Sequence, residues 1–283
     1  MLNCYVSHNG EACGIMMGTN PNIFHPLNID EKYFRFMPGP ELNFYHYRGQ
    51  NHFFELSYPS IYRLSDDEKS QAINEKREFI QLLKTHPIIK ELEELKIQDS
   101  SYCTDYEGLA QHYGFATNHM DITNDKNIAM FFACTEYIDG KYFPFKESKE
   151  VVLYTINTLY PDATERLNII GAHAIPRPAE QKAFSIELNE NENFNDLEFV
   201  QYEKFICTKE LSWKYFNLFD GGKKLFPDDI VDKKAKQIQN RKMTKKRDSY
   251  FTKRELSSIR KDWIKKRDEF YKMIVGPRLC YQV

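Results

Sequence analysis

The chain has no C-x-x-C pair or other zinc-like spacing, no Gly-rich phosphate loop, no H-E-x-x-H helix, no G-x-S-x-G elbow and no Cys–His nucleophile signature. Those absences remove several familiar enzyme classes. No stretch approaches the roughly 18 apolar residues of a membrane span, and residues 1–18 lack both a basic n-region and a long apolar run. N-x-Ser/Thr acceptors are absent too. The expectation is a cytoplasmic protein without a membrane partner, in which Cys4, Cys13, Cys103, Cys134, Cys207 and Cys280 are reduced and mostly packing residues.

What is present suffices for a core. Of 283 residues 41% are apolar and 28% charged, with 21 Phe and 18 Tyr, a composition that argues against disorder. This length lies near the upper limit for a single hydrophobic core, which favours one compact body with a smaller appendage. The net charge of −2 conceals a division: residues 231–283 hold 17 Lys/Arg against 6 Asp/Glu, leaving −13 on the first 230. Two readings fit that asymmetry, a helix with a solvated basic face or a nucleic-acid contact from Lys233 to Arg267, where Tyr250, Phe251 and Trp263 are interleaved as stacking groups.

Along the chain, breakers from Gly10 to Pro40 suggest an irregular lead-in over residues 1–43. The aromatic run Phe44, Tyr45, Tyr47 suits a buried strand ending at Arg48, after which Gly49 lets the backbone turn. Ser65 with Glu68 forms a capping-box signal for a helix interrupted at Pro87, followed by helices over Ile88 to Lys96 and Tyr106 to Tyr113, the latter stopped by Gly114. Thr123 or Asn124 caps the next helix, with Ile128, Ala129, Phe131 and Phe132 on its buried face. Short apolar blocks then read as strands at Val151 to Ile156, Ile169 to Ile175, Ala183 to Leu188 and Phe199 to Cys207. Helices cluster early and strands late. The class is therefore α+β, a mostly antiparallel sheet and helices in one core over residues 44–230, with basic helices of residues 231–283 docked through Trp263, Ile264 and Phe270.

Polar residues with chemical potential gather in three segments. Arg48, at a strand end beside a glycine, has a guanidinium fork suited to phosphate or carboxylate, or to a structural acid partner. Residues 108–123 bring together His112, His119, Asp121 and Thr123. His112 also fits as a hydrogen-bonded interior histidine, and Asp121 and Thr123 as caps of the following helix. His119-Met120-Asp121 resembles part of a two-His, one-carboxylate iron site, but no third ligand can be chosen, so no metal is assigned. Glu180 and Gln181 follow the turn-like Pro176-Arg177-Pro178 and open a strand, where a carboxylate can project into a cleft or simply face solvent.

The order of Tyr47-Arg48-Gly49-Gln50, Pro59-Ser60-Ile61-Tyr62-Arg63 and Leu109-Ala110-Gln111-His112-Tyr113-Gly114 resembles the FRG domain family, named for its Phe/Tyr-Arg-Gly motif. In that family the last block continues Gly-x-Pro-Thr-Arg-Leu-Leu-Asp-Trp-Thr into an Ala-x-x-Phe-Ala helix, similar to Gly114 to Thr123 and Ala129 to Ala133. Resemblance spans roughly residues 44–235, with weaker elements at Gln181 to Phe184 and Leu225 to Asp228. The chain departs from it at Ala116, Asn118, His119, Met120 and Ile122, and loss of the arginine at Asn118 puts an anion-binding role there in question.

A different order, the Tyr47-Arg48-Gly49 strand, Asp121-Ile122-Thr123 before an Ala-rich aromatic helix, and Glu180-Gln181 opening a late strand, also resembles the Arg, Ser/Thr and Glu blocks of ADP-ribosyltransferases. That second resemblance implies that NAD is bound as a substrate, with Arg48 on its phosphates or ribose, Asp121 and Thr123 shaping the nicotinamide pocket, and Glu180 as catalytic carboxylate beside a ribosyl cation. The motif residues Gln50, His112 and Gln181 complete the expected binding set. NAD-dependent ADP-ribosyl transfer or NAD hydrolysis is thus the leading reading, against a nucleic-acid module or a non-catalytic interaction domain.

Overall fold

The computed structural model describes residues 3–6, 12–16, 24–39, 43–171, 173–240 and 250–275. The lead-in is more regular than its breakers suggest. Strands β1 (Asn3–Val6) and β2 (Ala12–Met16) form one hairpin, and β3 (Phe24–Asn28) and β4 (Tyr33–Pro38) another. Pro26 is tolerated because β3 is an edge strand, where a missing N–H breaks no ladder.

Strand β5 (Tyr45–Gln50) runs through the Tyr-Arg-Gly motif without turning. Helix α1 (Asp66–Lys84) starts at the expected capping box, with Ser65 N–H donating to Glu68 Oε2 at 2.9 Å. Pro87 opens α2 (Pro87–Glu93), as a proline in the first turn can, because its absent N–H would have had no helical partner. That helix stops earlier than expected, since Lys96 already belongs to β6 (Lys96–Ile97), paired with β7 (Ser100–Tyr102). Helix α3 (Tyr106–His112) is capped by Asp105, and Gly114 beyond it takes the expected left-handed conformation at φ +83°.

The polar stretch after it is a strand, β8 (His119–Thr123), not only a link between helices. Met120 and Ile122 pack in one core cluster while His119, Asp121 and Thr123 alternate to the opposite face. Helix α4 (Lys126–Cys134) is capped by Asp125, one residue later than expected, and Thr123 Oγ1 accepts the Asp125 N–H at 3.1 Å. The rest comprises a hairpin of β9 (Thr135–Ile138) and β10 (Lys141–Pro144), then β11 (Lys149–Asn157), α5 (Pro161–Arg166), β12 (Leu167–Ile169), the single turn α6 (Arg177–Glu180), β13 (Ala183–Glu187), β14 (Val200–Cys207), α7 (Lys209–Leu218), α8 (Ile230–Gln239) and α9 (Lys253–Val275).

The fold is α+β. Six strands form an antiparallel sheet in the order β12-β13-β8-β5-β11-β14. Its centre holds β5 and β8 from the early part of the chain, so helices and strands interleave more than the sequence order suggests. β11 is covered on both faces: Val152, Tyr154 and Ile156 enter one cluster, Val151 and Leu153 another beneath α4 and α7. A second sheet, β3-β4-β7-β6, joins α2 and α9 around Phe34, Phe36 and Tyr102.

Helix α9 docks through Trp263, Phe270 and Ile274, spaced to share one helical face. Ile264, expected in that face, is 66% exposed, one residue and about 100° off it. Burial of Phe251 and Trp263 also removes them as base-stacking platforms. Residues 241–249 of the basic segment lie outside the described residues, as do the side chains of Cys4 and Cys13 and all of Cys280. Cys103, Cys134 and Cys207 are free thiols.

Three buried histidines make the fold acid-sensitive. Burial lowers His46 and His86 to about 4 and His173, also beside Arg35, to about 3. Since an unfolded histidine titrates near ~6.5, the unfolded chain binds more protons across that window, and stability falls as pH drops through it. Thermal melts should therefore lose stability from about pH 6.5 to about pH 4.5, by up to ~1.4 kcal/mol per pH unit for each histidine titrating. A melting temperature constant or rising over that range would contradict the burial of neutral imidazoles.

Candidate functional site

Close packing at Gly49 organises the site. A β-carbon on Gly49 would lie 1.7 Å from the Ala129 carbonyl oxygen and 2.8 Å from the Ala133 nitrogen, so α4 rests directly on the backbone of β5. The motif glycine is thus a packing residue rather than a turn residue. Beside it, β5 and β8 register at one position only, Tyr47 opposite Thr123, and then part. Arg48 spans the opening, its Nη1 donating to the Asp121 carbonyl at 2.8 Å where a ladder bond would otherwise run.

The parted strands open into a cleft of about 1390 Å³. Its base carries Arg48, Gln50, His112, Asp121, Thr123 and Gln181, which are all six residues expected to bind a cofactor. They come from β5, α3, β8 and the turn before β13. The wall is aromatic: Tyr142 stacks on Phe226 at 5.2 Å, and Phe132, Tyr137 and Phe143 also face the space.

Burial lowers the Arg48 guanidinium from its ordinary value, against the opposing pull of Asp121. A desolvated cation with a buried, unpartnered Nε gains from an anionic partner. Gln50 Oε1 is likewise buried without a partner.

At the other side of the base, Gln181 donates from Nε2 to the Leu225 carbonyl at 2.9 Å, turning its Oε1 to His112 Nδ1 at 2.9 Å. An amide oxygen only accepts, so Nδ1 carries a proton and Nε2 faces Asp121 Oδ1 at 3.6 Å. Gln111 donates to Asp121 Oδ2 at 3.3 Å, and its own oxygen accepts the Thr117 hydroxyl. The His112 side chain is 5% exposed and that of Asp121 40%, which makes Asp121 the member presented to the cleft.

Glu180 is elsewhere. It does not line the cleft and sits near Lys266 of α9, with burial of its surroundings raising its carboxyl above the usual range. The helical turn explains this, because α6 directs Glu180 outward while Gln181 follows inward. His119 is buried and hydrogen-bonds Ser185 at 3.1 Å, and no cluster of three metal-ligating side chains occurs among the described residues. Asn118 pairs with Glu187.

Sequence reasoning placed Arg177 at the start of the third polar segment, Arg177 to Phe184, but gave it no role. Its guanidinium lies 4.4 Å over Tyr113 and 5.3 Å over Phe226, donates to the His112 carbonyl at 2.8 Å and pairs with Asp232 at 2.5 Å. The Pro-Arg-Pro run and the Leu-Phe-Pro-Asp element were the available signals, but neither implies contact between them.

Arg48→Lys keeps the charge but cannot hold Asp121 O and a cleft anion together. Urea denaturation should show a folded protein destabilised by up to about 1.5–3 kcal/mol, the range for a hydrogen bond that involves a charged group. An unchanged midpoint would mean that the Arg48–Asp121 bond does not brace the parted strands.

Residues 43–141 match the FRG domain family model. The match contains Arg48, Gln50, His112, Asp121 and Thr123, whereas Arg177, Gln181 and Phe226 complete the cleft from beyond it. No curated protein and no solved structure matches the chain. The chain is therefore an FRG domain-containing protein.

Proposed function

We propose that the cleft binds NAD and that the protein transfers or hydrolyses its ADP-ribose. The observation that carries this reading is the convergence of Arg48, Asp121 with Thr123, and Gln181, three separate sequence blocks, on one cleft at neighbouring strands β5, β8 and β13. Its volume exceeds the roughly 300–1,000 Å³ of pockets for drug-sized ligands, leaving room for an extended dinucleotide. Arg48 offers the pyrophosphate or ribose a guanidinium, and the aromatic wall offers the planar rings a stacking surface.

Cleavage of the bond between ribose and nicotinamide develops positive charge on the ribosyl group, so a carboxylate in the cleft lowers the barrier. Glu180, expected to supply it, stands outside, and the role passes to Asp121 at the cleft base. Gln181 binds and orients.

Calorimetry should detect NAD binding to the wild-type protein, with Asp121→Asn keeping that affinity while nicotinamide release falls by about 10²-fold or more. Glu180→Gln should leave release unchanged. Absence of binding at millimolar NAD would remove the substrate assignment, and a Glu180→Gln variant as impaired as Asp121→Asn would return the chemistry to Glu180.

A further inference from the structure

His112 is buried, lines the cleft and leaves its Nε2 without a hydrogen-bond partner, 3.6 Å from an equally unpartnered Asp121 Oδ1. Every other polar contact of the pair is directional. The Leu225 carbonyl orients Gln181, Gln181 fixes the proton of His112 on Nδ1, and Gln111 donates to the far oxygen of Asp121. Two acceptor atoms, an imidazole lone pair and a carboxylate oxygen, are therefore aimed at each other. One proton between them turns this repulsion into a charge-assisted contact.

We propose that Asp121 and His112 act as a proton-accepting pair for the incoming nucleophile, Asp121 touching it and His112 storing the proton behind. This assignment rests on the ADP-ribosyl reading of the cleft and identifies its acceptors as groups that lose a proton on attack, namely water, hydroxyl or amine. The nucleophile bonds to the ribosyl carbon as the bond to nicotinamide breaks, and that bonding pair leaves with nicotinamide. The nucleophile's proton passes to Asp121 and then to His112 Nε2, which becomes an imidazolium facing the restored carboxylate. Solvent later removes it.

The surroundings suit the exchange. Arg48 and Arg177 hold the backbone carbonyls of Asp121 and His112. Titratable groups on other elements include His173, kept neutral by burial and by Arg35, Tyr142, whose phenol burial pushes well above its ordinary value, and Asp232, paired with Arg177. His112 is a positioning residue here, since it acts through Asp121.

His112→Asn tests this directly, because the asparagine amide can still donate to Gln181 yet cannot take a proton. Nicotinamide release at saturating NAD should fall by about 10²-fold, while the calorimetric NAD affinity drops no more than a few-fold. Retention of wild-type turnover in His112→Asn would overturn the proposal. Nitrogen NMR of the imidazole in the ligand-free protein adds a readout independent of NAD: the neutral ring should carry its proton on Nδ1, facing Gln181. A neutral form protonated on Nε2 would overturn the pair even where NAD binds. Wild type that neither binds nor cleaves NAD would defeat the ADP-ribosyl reading itself, and with it the proton transfer.

Discussion

At Gly49 a strand and a helix meet through bare backbone, and the cleft depends on that contact. With 1.7 Å between a hypothetical β-carbon and the Ala129 carbonyl, no side chain fits without displacing α4. The close approach lets α4 cover the sheet where β5 and β8 separate, burying Ala129, Ala133 and Cys134 against Val151 and Leu153. Packing of this density tolerates little volume change. The geometry that forms the core thereby also fixes one wall of the site.

Parting two strands in mid-sheet leaves polar backbone in need of partners. Arg48 answers part of that need by bonding the Asp121 carbonyl, and becomes a desolvated cation facing the cleft as a result. Arg177 plays the matching part on the opposite side, where Tyr113, Phe226 and Asp232 enclose it and the His112 carbonyl accepts a hydrogen bond from it. The two guanidinium groups brace the β8 and α3 backbones on which Asp121 and His112 stand. The same side chains hold the backbone and line the cleft.

Much of this was legible in the residues. Hydrophobic period and cap chemistry gave α1, α3, α4 and the strands β11, β13 and β14, and the family motifs pointed to the six residues that line the cleft base. Strand β8 was harder to read, because its alternation of polar and apolar residues is short and its polar face turns to a cleft instead of to solvent. Glu180 and Gln181 differ by one residue, and only the helical turn at Arg177–Glu180 decides which enters. Long-range partners such as Arg177 with Phe226 carry no local signal, since spacing along the chain says nothing about contacts made across 49 positions. Ile264 failed for the opposite reason: a basic helix with several large apolar residues permits more than one buried face.

The central claim is that the opening between β5 and β8 is an NAD site. A crystal structure of the protein grown with NAD tests it most directly. The account predicts the dinucleotide in the cleft, with a phosphate or ribose oxygen within hydrogen-bond reach of the Arg48 guanidinium and its nicotinamide end toward Asp121. NAD bound away from that cleft, or a fully occupied lattice in which Arg48 and Asp121 contact only protein, would contradict it.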